Sequence, residues 1–286
     1  MSSTTIAPRT PRLPSSARRR LVHGGFTAIA LVYVGGLVIA PLVGIAWAAF
    51  KGGWSLIADT LRQPDVLHAY YLTGVITLIT VIVTTVFGVI VALVITRDRF
   101  PGRALVSALV DLPIAVSPVI VGLMAVLLFG TGGWFQPFFT ARGIQILFAV
   151  PSMVIVTIFI CIPFVIREVV PVLHELGVSE EEAARTLGAS SFQTFFRVTL
   201  KNIRWALAYG IALSTARAIG EIGAVLIVSG AITGQTETAT LYILRAFDQF
   251  HDPEGYIVAI TLALASIVLL VAIEAFKRRQ EKVRET

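Results

Sequence analysis

Six stretches of this sequence are each long and apolar enough to cross a lipid bilayer: about 26–50, 70–96, 104–129, 147–170, 204–228 and 256–276. A crossing takes roughly 20 mostly apolar residues, because the hydrocarbon is ~30 Å thick and a helix rises ~1.5 Å per residue. Inside hydrocarbon each backbone N–H and C=O must find a partner within the protein, so such stretches fold as helices. The fold class expected is therefore all-α, a polytopic membrane protein with six transmembrane helices. Charge supports this. Only 14% of the 286 residues are Asp, Glu, Lys or Arg, against about 25% in soluble domains. A soluble core does not require a mean hydropathy of +0.85, so the surplus faces lipid. The single cysteine, Cys161, lies in an apolar run and offers neither a disulfide framework nor a metal cluster.

The ends of the stretches carry glycine, proline or charge, as in AFKGG after the first and TRDRFPGR after the second. The expected organisation is a disordered cytoplasmic tail over 1–25, a transmembrane domain over 26–276 and a second cytoplasmic tail over 277–286. A cleaved signal peptide over 18–48 is disfavoured, because its apolar region is too long and lacks a clean small-residue cleavage site. Orientation follows from the cations. The N-terminal tail, 97–103, 167–204 and the C-terminal tail hold 18 Lys and Arg, whereas the other side holds four, Lys51, Arg62, Arg142 and Arg245. The positive-inside rule then puts both termini in the cytoplasm. The net charge of +6 has the same origin, since the cations sit at span ends and form no nucleic-acid-binding face.

One polar island, EEAARTLGASSFQTFFRVTL at 181–200, stands between the fourth and fifth spans. Ser179 with Glu182 has capping-box spacing, and Glu180 and Glu181 suit the positive end of a helix dipole. Gly188 stands where a helix end takes a left-handed residue. Ser190 with Gln193 repeats the capping spacing ahead of Phe192, Phe195, Phe196 and Thr199, which share one helical face. A helix–turn–helix is expected over about 178–201. The residues alone leave two readings open, an amphipathic hairpin on the membrane surface or a docking site for a soluble partner.

The stretch EAARTLGASSFQTFFRVTLK resembles the EAA loop of bacterial ABC-importer permeases. Glu182, Ala183, Ala184 and Gly188 match that motif, and the spacing to Val198 and Leu200 is kept. Lys201 stands where the family usually has proline, which bears on how the second helix ends. The resemblance implies the type I, MetI-like permease fold and a coupling helix inserted into a groove of a cytoplasmic ATPase, with Phe192 beside the motif. Further runs, FPGRALVSALVDLPIAVSPVIVGL, CIPFVIREVVPVL, RVTLKNIRWALAYG and ARAIGEIGAVLIVSG, resemble the second permease subunit of sulfate and thiosulfate importers. The RAIGEIGA run is shared more widely with molybdate and tungstate permeases, which keeps those dianions as the alternative. The partners implied are an ABC ATPase dimer, a second and different permease chain, an extracytoplasmic sulfate-binding protein and the lipid of a bacterial inner membrane. ATP would be bound by the ATPase, so no cofactor is expected in this chain.

Ionisable groups inside spans are expensive and mark functional candidates. Arg217 and Glu221 lie four apart and can neutralise each other. The open alternatives are a structural ion pair and an Arg217 that lines the route of an anion. Gly220 and Gly223 would admit a close neighbour, either a helix of a partner permease or one of this chain. Asp111, Pro113, Ser117 and Pro118 interrupt the third span, as a plain kink or as pore lining. Arg167 and Glu168 are adjacent and need separate partners. There is no GxxxxGK[ST] motif, GTGGWF at 130–135 lacks the lysine, and the four histidines are scattered. Neither a metal site nor an enzyme active site is expected. A secondary transporter, which would call for a proton relay and inverted repeats, has little support.

Overall fold

A computed structural model of the chain describes the backbone of residues 16–284 and the side chains of residues 32–272. Regular structure among the described residues is entirely helical. The chain divides between Trp47 and Ala48 into two units. The first contains most of helix α1 (Ser16–Phe50), on which Val32, Tyr33, Leu37 and Trp47 are all exposed. Helix α1 begins well before the expected span limit, so residues 16–25 are helical where a disordered tail was expected. The reason is local: Pro14 is the last helix breaker before Gly24, and Ala, Arg and Leu between them favour helix. Residues 1–15 lie outside the described part.

The second unit contains α2 (Gly53–Arg62), α3 (Pro64–Arg97), α4 (Arg103–Ala115), α5 (Pro118–Phe129), α6 (Gln136–Thr140) and α7 (Val150–Leu176). It continues with α8 (Ser179–Thr186), α9 (Ser191–Thr194), α10 (Leu200–Ile219), α11 (Gly223–Ser229), α12 (Ala239–Asp248) and α13 (Asp252–Arg284). A π-helical turn at Phe195–Thr199 joins α9 to α10. Helix α13 continues through most of 277–286, the stretch expected as a tail.

Four segments are long and apolar enough to cross a membrane unaided: 32–50 of α1, α3, α7 and 252–272 of α13. Two more candidate crossings are bent pairs. The chain bends by 110° between helices α4 and α5, and by 53° between the α9–α10 rod and α11. The sequence led us to expect an interruption in the span over 104–129 and a continuous span over 204–228; the first is interrupted as expected, and the second is broken as well. At the first break Val116 and Ser117 have extended backbone, with ψ of 137° each, as the residue ahead of Pro118 prefers.

Contacts at the two ends of α7 show that α4–α5 crosses the unit and does not turn back. Arg103, which opens α4, approaches His174 near the end of α7, with 3.3 Å between Nη2 and Nε2. At the far end of α5, a Cβ added to Gly130 would instead stand 3.3 Å from Leu147 Cδ1, just ahead of α7. With each bent pair counted as one span, the candidate crossings among the described residues number up to six, the number expected. Span ends near Arg97, Arg103 and Leu173 are called the loop end below. At the opposite end, Phe148 N–H donates to Val228 O at 2.8 Å. Also there, the Tyr242 hydroxyl lies 3.1 Å from Gln63 Oε1 and 3.0 Å from Glu254 Oε2. Burial, and then the Glu254 carboxylate, push the Tyr242 hydroxyl pKa up from its ordinary value.

Helix α3 leaves Leu78, Ile82, Val86 and Ile90 exposed while Leu72, Ile76, Val89 and Ala92 are buried beside a stripe of buried threonines, Thr73, Thr77, Thr80 and Thr84. Lipid is as apolar as leucine, so the burial of these spans does not rest on a hydrophobic drive; close packing and internal hydrogen bonds hold them. Both are visible at Val165 of α7. A Cβ added to Gly210 of α10 would stand 2.9 Å from the Val165 Cα, and one on Gly88 of α3 would stand 2.9 Å from its Cβ. Threonine hydroxyls in the spans bond back to carbonyls one turn earlier, as Thr84 does to Thr80 O at 2.8 Å. The same Thr84 hydroxyl reaches Ser214 Oγ of α10 at 3.1 Å.

Gly210→Val therefore presses a side chain into a neighbouring backbone, an overpacking that costs about 1–3 kcal/mol or more. Its detergent-purified form is expected to melt several degrees below the parent. Gly74→Val, at a position with open space around it, is expected to leave the melting temperature unchanged. Equal behaviour of the two variants would contradict the crossing at Val165.

Candidate functional site

The polar island folds as a two-helix projection at the loop end. Helix α8 has Val178 at its N-cap and no side-chain cap. The expected Ser179–Glu182 capping box is thus not formed, because Ser179 is already the first helical residue. The acids ahead of the motif point to other partners. Glu181 Oε1 takes a 3.0 Å ion-paired hydrogen bond from Arg97 Nη2, and the Thr199 hydroxyl donates to the same oxygen at 2.9 Å. Arg97 Nη1 donates to Leu173 O at 3.1 Å. Asn202 Nδ2 donates to Glu180 Oε2 at 2.5 Å. The Arg97–Glu181 pair is mostly buried, with side chains 18% and 13% exposed. A charge-assisted bond in such a place contributes about 1.5–3 kcal/mol, so α8 is clamped at once to the ends of α3 and α7 and to the π-turn.

The end of α8 forms as expected. Gly188 has φ of +86°, its N–H donates to Arg185 O at 2.9 Å, and Ala189 N–H donates to Ala184 O at 3.0 Å. These two bonds are the Schellman pattern that satisfies the last carbonyls of a helix. The second capping box also forms: Gln193 N–H donates to Ser190 Oγ at 3.3 Å and Ser190 N–H to Gln193 Oε1 at 3.0 Å. Between the two caps the turn presents an apolar tip. Leu187 is 89% exposed and Phe192 73% exposed, and the Phe192 and Phe196 rings lie 4.4 Å apart. Glu182 and Ala183 are exposed and Ala184 is half-buried, so this face of α8 is open beside the tip.

The other candidates sit at or near the breaks. Glu221 is buried between α10 and α11, with Oε1 taking the Ala224 N–H at 2.8 Å and Oε2 lying 2.5 Å from Arg217 Nη1. Its main-chain oxygen accepts from the Thr240 hydroxyl at 2.8 Å. Gly223 approaches this chain's own α5: a Cβ there would stand 3.0 Å from Pro118 Cβ, whereas the Gly220 position meets only its own helix. The two broken spans therefore abut at their breaks. Ser117 caps α5 by its backbone only and is exposed. Asp111 belongs elsewhere. Its Oδ1 takes a 2.9 Å bond from Arg167 Nε, both side chains being about half exposed, which places α4 against α7 beside a cavity of about 210 Å³.

Sequence reasoning missed the partners of Glu180 and Glu181, the Asp111–Arg167 pair and the bidentate Arg245–Glu237 pair at 2.6 and 2.9 Å. No periodic signal marks them, since their partners lie up to 84 residues away.

Fold and site define a class: a multi-span helical membrane protein whose fourth and fifth spans are linked by a rigid, apolar-tipped projection. Residues 84–282 match the family model described as the binding-protein-dependent transport system inner membrane component, and the chain belongs to that family. It is 45% identical over 252 residues to the sulfate transport system permease protein CysW of Synechocystis sp., covering 88% of this chain and 91% of that protein. It is 36% identical over 270 residues to the sulfate transport system permease protein CysT of Salmonella typhimurium, covering 93% and 97%. A solved structure of a bacterial alginate ABC transporter, in complex with an alginate pentasaccharide-bound periplasmic protein, contains a chain of the same fold. Its TM-score is 0.76 at 19% identity, over 94% of this chain and 98% of that one.

Replacing Gly188 by valine forces a β-branched residue into the left-handed region, at a cost of about 1–2 kcal/mol. Faster protease cleavage between 186 and 190 is expected for Gly188→Val, and much less change for Gly188→Asn, since asparagine tolerates this backbone. Identical cleavage of parent and Gly188→Val would show that the Schellman turn does not hold the tip.

Proposed function

We propose that this chain is the membrane-spanning permease subunit of an ATP-driven ABC importer that moves sulfate and thiosulfate into the cell. The observation that carries the mechanism is the clamped projection. A tip bearing Leu187 and Phe192, held by Arg97 and Glu181 to two span ends, suits a groove of a soluble ATPase and passes motion to the spans. The substrate reading is supported by the sulfate permease relatives. In this reading the loop end faces the cytoplasm, both termini lie there, and the membrane is a bacterial inner membrane. Glu182, Ala183, Ala184, Gly188 and Phe192 form the ATPase contact, while Arg217, Glu221, Gly220 and Gly223 stand at the route or its gate. Asp111 and Ser117 bracket the break in the third span.

ATP hydrolysis belongs to a separate ATPase dimer, and ATP is bound there, not in this chain. A second, different permease completes the membrane part, and an extracytoplasmic sulfate-binding protein delivers the anion at the opposite end. ATP binding closes the ATPase dimer, the two tips are drawn together, and the spans rock open towards the binding protein. The rocking unit is the part built on α3, α7 and α10, whose packing at Val165 resists independent motion of its helices.

The test is uptake of labelled sulfate in cells lacking their own importer, with this chain supplied alongside its partner subunits. Uptake that needs this chain and ATP, and that persists when molybdate is added at an equal concentration, is expected. Uptake abolished by low molybdate would move the substrate to molybdate or tungstate, and ATP-independent uptake would contradict the importer mechanism.

A further inference from the structure

The break in the fifth span places three separate demands on one residue. Where a span leaves helical geometry, the freed backbone groups need partners, and Glu221 provides them: its Oε1 accepts from Ala224 N–H at 2.8 Å, and its carbonyl accepts from Thr240 Oγ1–H at 2.8 Å. Its other carboxylate oxygen is buried and has no hydrogen-bond partner among the described residues; it faces the Arg217 guanidinium at 2.5 Å. The two partners are unequally placed. The Glu221 side chain is 2% exposed, whereas that of Arg217 is 30% exposed. A fixed, buried negative charge thus sits behind a cation that still reaches the surface of the unit. No other hydrogen bond from Arg217 is found among the described residues, and its side chain is partly exposed.

A guanidinium presents a planar fork of donors that matches the oxygens of a tetrahedral anion. Left uncompensated in a membrane, it would hold a dianion too firmly, and passage requires a site weak enough to leave. We propose that Glu221 is a rate-setting positioning residue: it fixes Arg217 at the break and offsets its charge, so that the permeating dianion touches Arg217 only transiently. This rests on the sulfate reading given above. Glu221 acts through Arg217 and does not itself meet the anion, since like charge would repel it. The geometry adds a reason for the site's position. Gly223 packs against Pro118 at the neighbouring break, so a movement of the joined α5–α11 breaks carries the Glu221 cap and with it the guanidinium.

The test uses the whole importer, with its ATPase and partner permease, in detergent and in lipid vesicles. Glu221→Gln keeps an acceptor for Ala224 N–H, removes the charge and turns an amide NH2 towards Arg217 in place of the carboxylate oxygen. Equilibrium binding of labelled sulfate to the importer without its binding protein, and maximal ATP-driven uptake with it, are measured for each form. In Glu221→Gln the half-saturating sulfate concentration is expected to fall roughly tenfold, since a nearby unit charge no longer repels the dianion. Maximal uptake is expected to fall by a similar factor. In the double variant Arg217→Gln/Glu221→Gln the tightened binding should be lost while the complex still assembles, as judged by size-exclusion elution and melting temperature. Unchanged sulfate binding in Glu221→Gln, or equal binding by the single and double variants, would overturn the proposal and leave a structural ion pair. Wild-type vesicles that take up no sulfate at all would instead refute the underlying sulfate reading.

Discussion

A chain in hydrocarbon has to satisfy its own backbone, and the bundle from Ala48 onward departs from continuous helix within its spans at two places. At the first, Pro118 ends the helical run and Val116 and Ser117 turn extended. At the second, Glu221 supplies by side chain and main chain the bonds that the helix no longer supplies. The breaks pack together through Gly223 and Pro118. Unwound backbone at membrane depth survives only when buried in protein or lining a wet cavity. Each break thus needs the other, and α5 and α11 hold one another in place. The remaining helices act as scaffold for this junction, with α7 at the centre, crossed by α3 and α10 at Val165.

The projection at the loop end obeys a complementary rule. It is polar and outside the hydrocarbon, so its rigidity comes from charge and caps. Arg97, the last residue of α3, spans Leu173 O and Glu181, joining three elements through one side chain. The Schellman turn at Gly188 and the capping box at Ser190 then leave few free backbone groups between α8 and α9. A stiff tip with an apolar end can transmit displacement; a flexible one would absorb it.

Much of this was legible in the sequence. The spans, their number, the αL position of Gly188 and the Ser190–Gln193 box follow from local rules, since each depends on residues within a turn or two. The Arg217–Glu221 contact was equally readable, being four residues apart. What escaped was of longer range. Ser179 lost its expected capping role because Val178 takes the N-cap position and Ser179 is the first helical residue. Glu180 and Glu181, read as dipole complements, are claimed by Asn202 and by Arg97, and nothing in the run of acids names those partners. Asp111 was read only as part of an interruption, and its pairing with Arg167 of another span was not legible. The sharpness of the breaks was also hidden, because a proline or a glycine pair marks an interruption without fixing its angle.

The central claim is that the projection and the spans move as one body through Arg97 and Glu181, and a double-mutant cycle on coupling addresses it most directly. The quantity to measure is the ratio of sulfate taken up to ATP hydrolysed by the assembled importer in vesicles, for Arg97→Ala, Glu181→Ala and the double variant. If the clamp carries the motion, each single change lowers the ratio several-fold and the double change lowers it no further, because both remove the same contact. Single variants that keep the wild-type ratio, or losses that simply multiply in the double variant, would contradict the claim.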